Sequence, residues 1–133
     1  MFELTVPGKP IGKGRARITR FGSFTPKKTV TYERFIQWLF KSKYRRIKPL
    51  EGAVKIELLI HKSVNKYDSK STKELKLSGK IRPTVKPDAS NVLKIVEDAL
   101  NGLAYIDDKQ IVEVHIWSYY VEVPDLEIKI MGV

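Results

Sequence analysis

The chain has 133 residues, 42% apolar and 30% charged, values that suit one globular domain with a core of its own. It has no cysteine, which excludes disulfides, a thiolate nucleophile and cysteine-ligated zinc. No apolar run approaches the ~20 residues that span a bilayer, and the opening Met1-FELTV is unlike a signal peptide. The expectation is a cytoplasmic protein with no membrane association. The net charge of +10 is unevenly laid. Between Lys9 and Lys48 thirteen Lys/Arg stand against the single acid Glu33, a local +12, while the remainder nets −2. That asymmetry points to a polyanionic partner, nucleic acid first, with an anionic membrane or a merely solubilising surface as the alternatives.

FELTV alternates Phe2, Leu4 and Val6 and reads as a short strand ended by Pro7-Gly8. GKPIGKGRARITRFGSFTPKK follows as a basic, glycine-punctuated loop with a hairpin near Phe21-Gly22. A helix is predicted from Pro26–Thr31 to about Ile47, with Tyr32, Phe35, Ile36, Leu39 and Phe40 at helical spacing and Pro49 beyond its end. AVKIELLIH puts Val54, Ile56, Leu58 and Ile60 on one face of a strand. Residues 65–80 read as a polar, mobile excursion with a short helix around Ser71–Leu77, and the lysines of 62–80 as a solvated face, with closure of the excursion over DNA as the alternative. Next comes KPDASNVLKIVEDALNG, a helix capped by Asn101-Gly102. Residues 111–123 form a long strand with Val112, Val114, Ile116 and Tyr120 inward; a Pro124-Asp125 turn leads to a last strand carrying Leu126, Ile128 and Ile130. The order β-α-β-(short α)-α-β-β implies a single α+β domain with a mixed sheet.

The helix from Asp88 gathers acids in a basic protein. Asn91, Lys94, Asp98 and Asn101 recur at i, i+3, i+7 and i+10 as one polar stripe, opposite Val92, Leu93, Val96, Ala99 and Leu100. Asp88 stands at its start, and Asp107-Asp108 just before the next strand, so helix start and strand start can meet at one sheet edge. Grouped carboxylates offer the hard oxygen donors Mg²⁺ takes beside phosphate, and Lys94 a fixed charge for a developing oxyanion. The plain alternative is structural: Asp88 or Ser90 as N-cap, Lys94–Asp98 as an i, i+4 pair, Asp107-Asp108 as a turn. Spacing alone leaves both open.

The run KPDASNVLKIVEDALNGLAYIDDKQIV resembles the signature of the RusA-type Holliday junction resolvases, with its PDxDN-x-x-K…DALNG…DDxQ pattern. PGKPIGKGRARITRFGSFTPKKTVTYE is similar to the opening of the prophage-type members. The resemblance implies a homodimeric endonuclease that binds four-way DNA junctions and nicks two opposed strands with Mg²⁺ (Mn²⁺ as a substitute) in DNA recombination and repair, without a small-molecule cofactor. Carried over by position, Asp88 and Asp108 are metal ligands with Asp107 and Ser90 beside them, and Lys94 serves cleavage. Asn91, Asp98 and Gln110 support that set. Ser90 departs from the pattern, which has an aspartate there, so a non-catalytic branched-DNA-binding protein is the competing reading. An RNA-binding, ribosome-associated protein is allowed by composition alone.

Lys9, Lys13, Arg15, Arg17, Arg20, Lys27, Lys28 and Lys86 are expected to contact DNA, with Arg82 extending the charge. Gly12 and Gly14 would let backbone approach phosphate. Phe21 and Phe24 are read as core residues, with a wedge between junction bases as the alternative. His61 and His115 are read as strand residues without metal-ligand company, and Trp38, Trp117, Tyr119 and Tyr120 as core or dimer-interface aromatics.

Overall fold

The computed structural model describes residues 1–133 as six strands and three α-helices. β1 (Phe2–Pro7), β4 (Val54–Ser63), β5 (Ile111–Val121) and β6 (Asp125–Gly132) form a mixed sheet in the order β1-β6-β4-β5. Only β4 and β5 run parallel; β1–β6 and β4–β6 are antiparallel. β2 (Arg17–Thr19) and β3 (Gly22–Phe24) make a separate hairpin around the expected Phe21-Gly22 turn. α1 (Lys27–Lys43), α2 (Lys70–Leu77) and α3 (Ala89–Leu100) complete the α+β arrangement.

The period-two pattern does what a half-buried sheet requires. Phe2, Leu4, Val6, Val54, Ile56, Leu58, Ile60, Leu126, Ile128 and Ile130 are all buried on one face. α1 covers them with Tyr32, Ile36 and Phe40, and α3 with Val92, Ile95, Val96, Ala99 and Leu100. Each fully buried branched side chain contributes about 1.5–3 kcal/mol. α1 stops at Lys43, short of the expected Ile47. Tyr44 leaves the helix to meet the Phe2 ring edge to face and accept the Glu3 N–H through its hydroxyl, at 2.8 Å.

Three expectations are corrected. Val112 and Val114 are 61% and 39% exposed because β5 is the sheet's edge and neither long helix reaches over it. Phe21 and Phe24, 79% and 55% exposed, project from the β2–β3 hairpin, which lies outside the sheet that builds the core. Residues 65–80 are not a loose excursion: Ser69 caps α2, Lys76 pairs with Asp68 at 2.6 Å, and α2 packs on β5.

The basic segment before the hairpin is clamped between α1 and α3. Lys13 N donates to Asn91 O and Gly14 N to Thr29 Oγ1, each at 2.9 Å. Gly12 lies so close to α3 that an added Cβ would stand 2.9 Å from Pro87 Cβ and 3.0 Å from Asn91 Cβ. The close approach glycine permits here is thus to the protein's own helix. Gly12→Ala should therefore lower thermal stability by about 1–3 kcal/mol, because neither a proline ring nor a helix backbone can swing aside; an unchanged Tm would show the loop is not so held. Glu97 gives a second test. Burial foremost, then the nearby Asp108 and Asp98 carboxylates, push its pKa above the usual range against the pull of Lys94. An acid with a raised folded-state pKa binds more protons folded than unfolded, so its ionisation destabilises as pH rises. Glu97→Gln should raise stability at pH 7, with the gain vanishing below the ordinary glutamate pKa of about 4.3; a gain that persists in acid would refute the sign.

Candidate active site

α3 begins at Ala89 with Asp88 as its N-cap, extended at φ −65° and ψ 149°. The Asp88 side chain makes no capping hydrogen bond, so its carboxylate is free to bind something else. The segment that delivers it is fixed from below by Lys62, which donates to Val85 O at 2.5 Å and Pro87 O at 2.9 Å, on either side of a cis Lys86–Pro87 peptide. Lys62 is only 9% exposed. Burial lowers its pKa, and the Asp88 carboxylate opposes that. The reading of the 62–80 lysines as solvated missed it. The signal was register: Lys62 continues the inward series Val54, Ile56, Leu58, Ile60.

Asp88 and Asn91 open onto a cleft of about 380 Å³ lined also by Lys9, Lys13, Lys28 and Lys86. Lys9 and Lys86 reach as well into a neighbouring cavity of about 270 Å³ that Lys62, Lys76 and Tyr120 line. Of the expected DNA contacts, Lys9, Lys28 and Lys86 are exposed here, while Arg15, Arg17, Arg20 and Lys27 are exposed along the hairpin and the start of α1. Lys13 is different. Its Nζ lies 2.5 Å from Glu33 Oε1 and 3.0 Å from Asp98 Oδ2. Partial burial pulls its pKa down, but the two carboxylates outweigh that and hold it above the usual lysine range. Its ammonium is paired within the protein while it lines the cleft with Lys9, Lys28 and Lys86. Arg82 lies 3.8 Å from the Tyr119 ring centroid and donates to Ser118 O, on β5 and not among the acids.

The second acidic element is a turn built by its own motif. Asp107 caps the 3₁₀ turn Asp108–Gln110, accepting Lys109 N at 3.3 Å. Gln110 Oε1 accepts the Ile106 and Asp107 N–H groups at 2.8 Å, and its Nε2 donates to Leu50 O and Gly52 O at 2.9 Å. Gln110 thereby stitches the turn to the segment before β4. Asp107 and Asp108 carry neighbouring carboxyls that shift each other's pKa in opposite directions. The backbone N–H of Lys109 foremost holds Asp107 below the usual carboxylate range, while Asp107's contact and partial desolvation raise Asp108. Lys94 and Asp98 lie within the field of Asp108, and Lys94 Nζ is 3.5 Å from Asp98 Oδ1.

The donor set suits a hard divalent cation. It offers a free carboxylate at Asp88, adjacent carboxyls at Asp107 and Asp108, and an exposed Ser90 hydroxyl. The carboxylates of Asp88, Asp107 and Asp108 do not close into one cluster with donor atoms within 4.8 Å. The group that does is His61, Asp125 and Glu127 on the sheet's other face, where His61 Nδ1 is 2.6 Å from Asp125 Oδ1. His61 is the expected strand residue, but it does have acidic company. His115 stacks on Trp117, and Trp38, read as core or interface, is 63% exposed against Phe35.

Comparison with known proteins bears on this geometry. The uncharacterized protein YqaN of Bacillus subtilis (strain 168) is 34% identical over 137 residues, covering 98% of this chain and 96% of its own length. The family model described as endodeoxyribonuclease RusA matches residues 7–131. That span takes in the Asp88 cleft, the Lys94 face of α3 and the Asp107–Asp108 turn, and the chain belongs to the endodeoxyribonuclease RusA family.

Proposed function

We propose that the protein is a Mg²⁺-dependent, structure-selective endodeoxyribonuclease that resolves four-way DNA junctions as a homodimer, placing paired nicks in opposed strands during recombination and repair. The observation that carries this reading is the free Asp88 carboxylate at the wall of a lysine-lined cleft in a RusA-family chain. Lys9, Lys28 and Lys86 draw in the phosphate backbone without reading sequence, which makes binding fall with salt. Asp88 and Asp108 hold the metal, with Asp107 and Ser90 adjoining. Bound there, Mg²⁺ lowers the pKa of a coordinated water and offsets charge on the scissile phosphate. Lys94, exposed on α3, supplies positive charge to the oxygens of the pentacoordinate phosphorus. Asn91 lines the cleft beside Asp88, Asp98 steers Lys94, and Gln110 fixes the turn that carries Asp108.

Ser90 supports the second reading, a branched-DNA-binding protein that does not cut, because a hydroxyl replaces a carboxylate at the start of α3. Asp88→Asn separates the two. On a synthetic four-way junction with Mg²⁺, wild type should nick and Asp88→Asn should lose about 100-fold or more in rate while binding the junction as tightly or more so. Wild-type binding with no nicking at any Mg²⁺ or Mn²⁺ concentration would establish the second reading.

The β2–β3 hairpin adds a testable part. The hairpin exposes Ile18, Phe21 at its turn and Phe24 opposite Arg17, with Arg20 4.9 Å from the Phe21 ring centroid. Exposed apolar residues beside arginines suit insertion at unstacked base steps of a branch point. Phe21→Ala with Phe24→Ala should lower junction affinity about tenfold or more, since each lost stacking contact is worth about 1–3 kcal/mol, and leave duplex binding nearly unchanged. An equal loss on both substrates would make the hairpin a phosphate contact only.

A further inference from the structure

We propose that two copies of the chain join edge to edge through β5, in an antiparallel pairing with its two-fold axis at Val114. This seam deepens the homodimeric reading above by naming the surface. β5 pairs with β4 along one side and with no strand along the other. Its outward edge is closed off at one end, where Arg82 Nε takes Ser118 O at 2.8 Å, and at the other by the 3₁₀ turn ending at Gln110. Val121 O, turned the other way, accepts Val64 N. Beyond the shift in register that skips Val112, even-numbered β5 residues therefore direct their N–H and C=O groups outward, leaving Val114 and Ile116 open for pairing.

Exposed edges are normally protected by lysine, proline or inward charge. The segment IVEVHIW has neither lysine nor proline, in a chain with 25 Lys and Arg. It exposes Val112, Val114 and Trp117 instead, with Ile106 beside them at 59%. Charge then chooses the register. A two-fold at Val114 sets Glu113 of each copy opposite His115 of the other. Glu113 and His115 already lie 3.5 Å apart on one strand, so unlike groups alternate across the seam. An axis at Glu113 would oppose two glutamates, and one at His115 two histidines. An axis at Val114 is what charge leaves, and such an isologous contact closes as a dimer.

The absence of native cysteine makes the test clean. Glu113→Cys and His115→Cys variants, side chains about half exposed, are mixed, allowed to exchange subunits and oxidised. A cross-linked heterodimer approaching about half of the total is expected, as random exchange dictates for an isologous dimer, with little from either variant alone. Sedimentation of wild type gives the stoichiometry, and Val114→Lys, with its fold checked by circular dichroism, should sediment as a monomer. A wild-type dimer that fails to cross-link overturns the β5 seam and leaves the homodimeric nuclease standing. A wild-type monomer at about 50 µM, well above the Kd of a stable dimer, overturns both seam and dimer. Nicking by Asp88 is read separately, so its loss would bear on neither.

Discussion

The architecture of the site depends on one ammonium group. Lys13 stands between Glu33 of α1 and Asp98 of α3, while its backbone N–H holds Asn91. A charge shared by two carboxylates on two helices, partly shielded from water, is stronger than an exposed surface pair and fixes a loop with little intrinsic structure. That loop is one wall of the cleft. Were it free, Lys9 would keep its charge and lose its place opposite Lys86 and Asp88. The same tether holds Asp98 in place, and its charge adds to the negative field around Asp108.

Lys62 does the corresponding work for the other wall. An inward lysine at the end of a buried strand face needs acceptors, and the carbonyls of Val85 and Pro87 supply them. In meeting that demand they hold the approach to α3 in the conformation that leaves the Asp88 carboxylate outside its own helix cap. The sheet's core face thus ends in a polar contact that aims the site, so β4, which carries no candidate catalytic group, sets the position of one that does. Gln110 repeats the pattern with an amide: two donors grip the segment before β4 and one acceptor gathers the turn that carries Asp108.

Much of this was legible in the residues. Alternation in β1, β4 and β6 and helical spacing in α1 and α3 are forced by the sheet face they share, and the core residues follow. β5 was misread because alternation reports that a strand has an apolar face and says nothing of whether neighbouring elements reach it. Residue type misled where position decides. Phe21 and Phe24 were placed in the core as aromatics although their hairpin lies off the sheet, and Lys62 was left in solvent as a lysine although its register points inward. The Asp88, Lys94 and Asp107–Asp108 elements were visible as a motif. Which carboxylate stays free was not, because capping and pairing are settled by three-dimensional neighbours.

That division among the acids answers why a basic chain concentrates them on α3 and the turn beyond. Asp98 is paired with Lys13 and faces Lys94; Asp107 is drawn down by backbone N–H groups as a cap; Glu97 is half-withdrawn beside Tyr105, whose hydroxyl donates to the Glu97 carbonyl. Each of these has work inside the fold. Asp88 has no capping bond, and Asp108 has for its nearest partner a second carboxyl, an arrangement that favours a proton or a cation between them. The surplus lysines across the cleft are then a complement: they bring in a phosphate backbone that free carboxylates alone would repel, and the carboxylates take up the cation that a phosphate backbone alone would leave in solution.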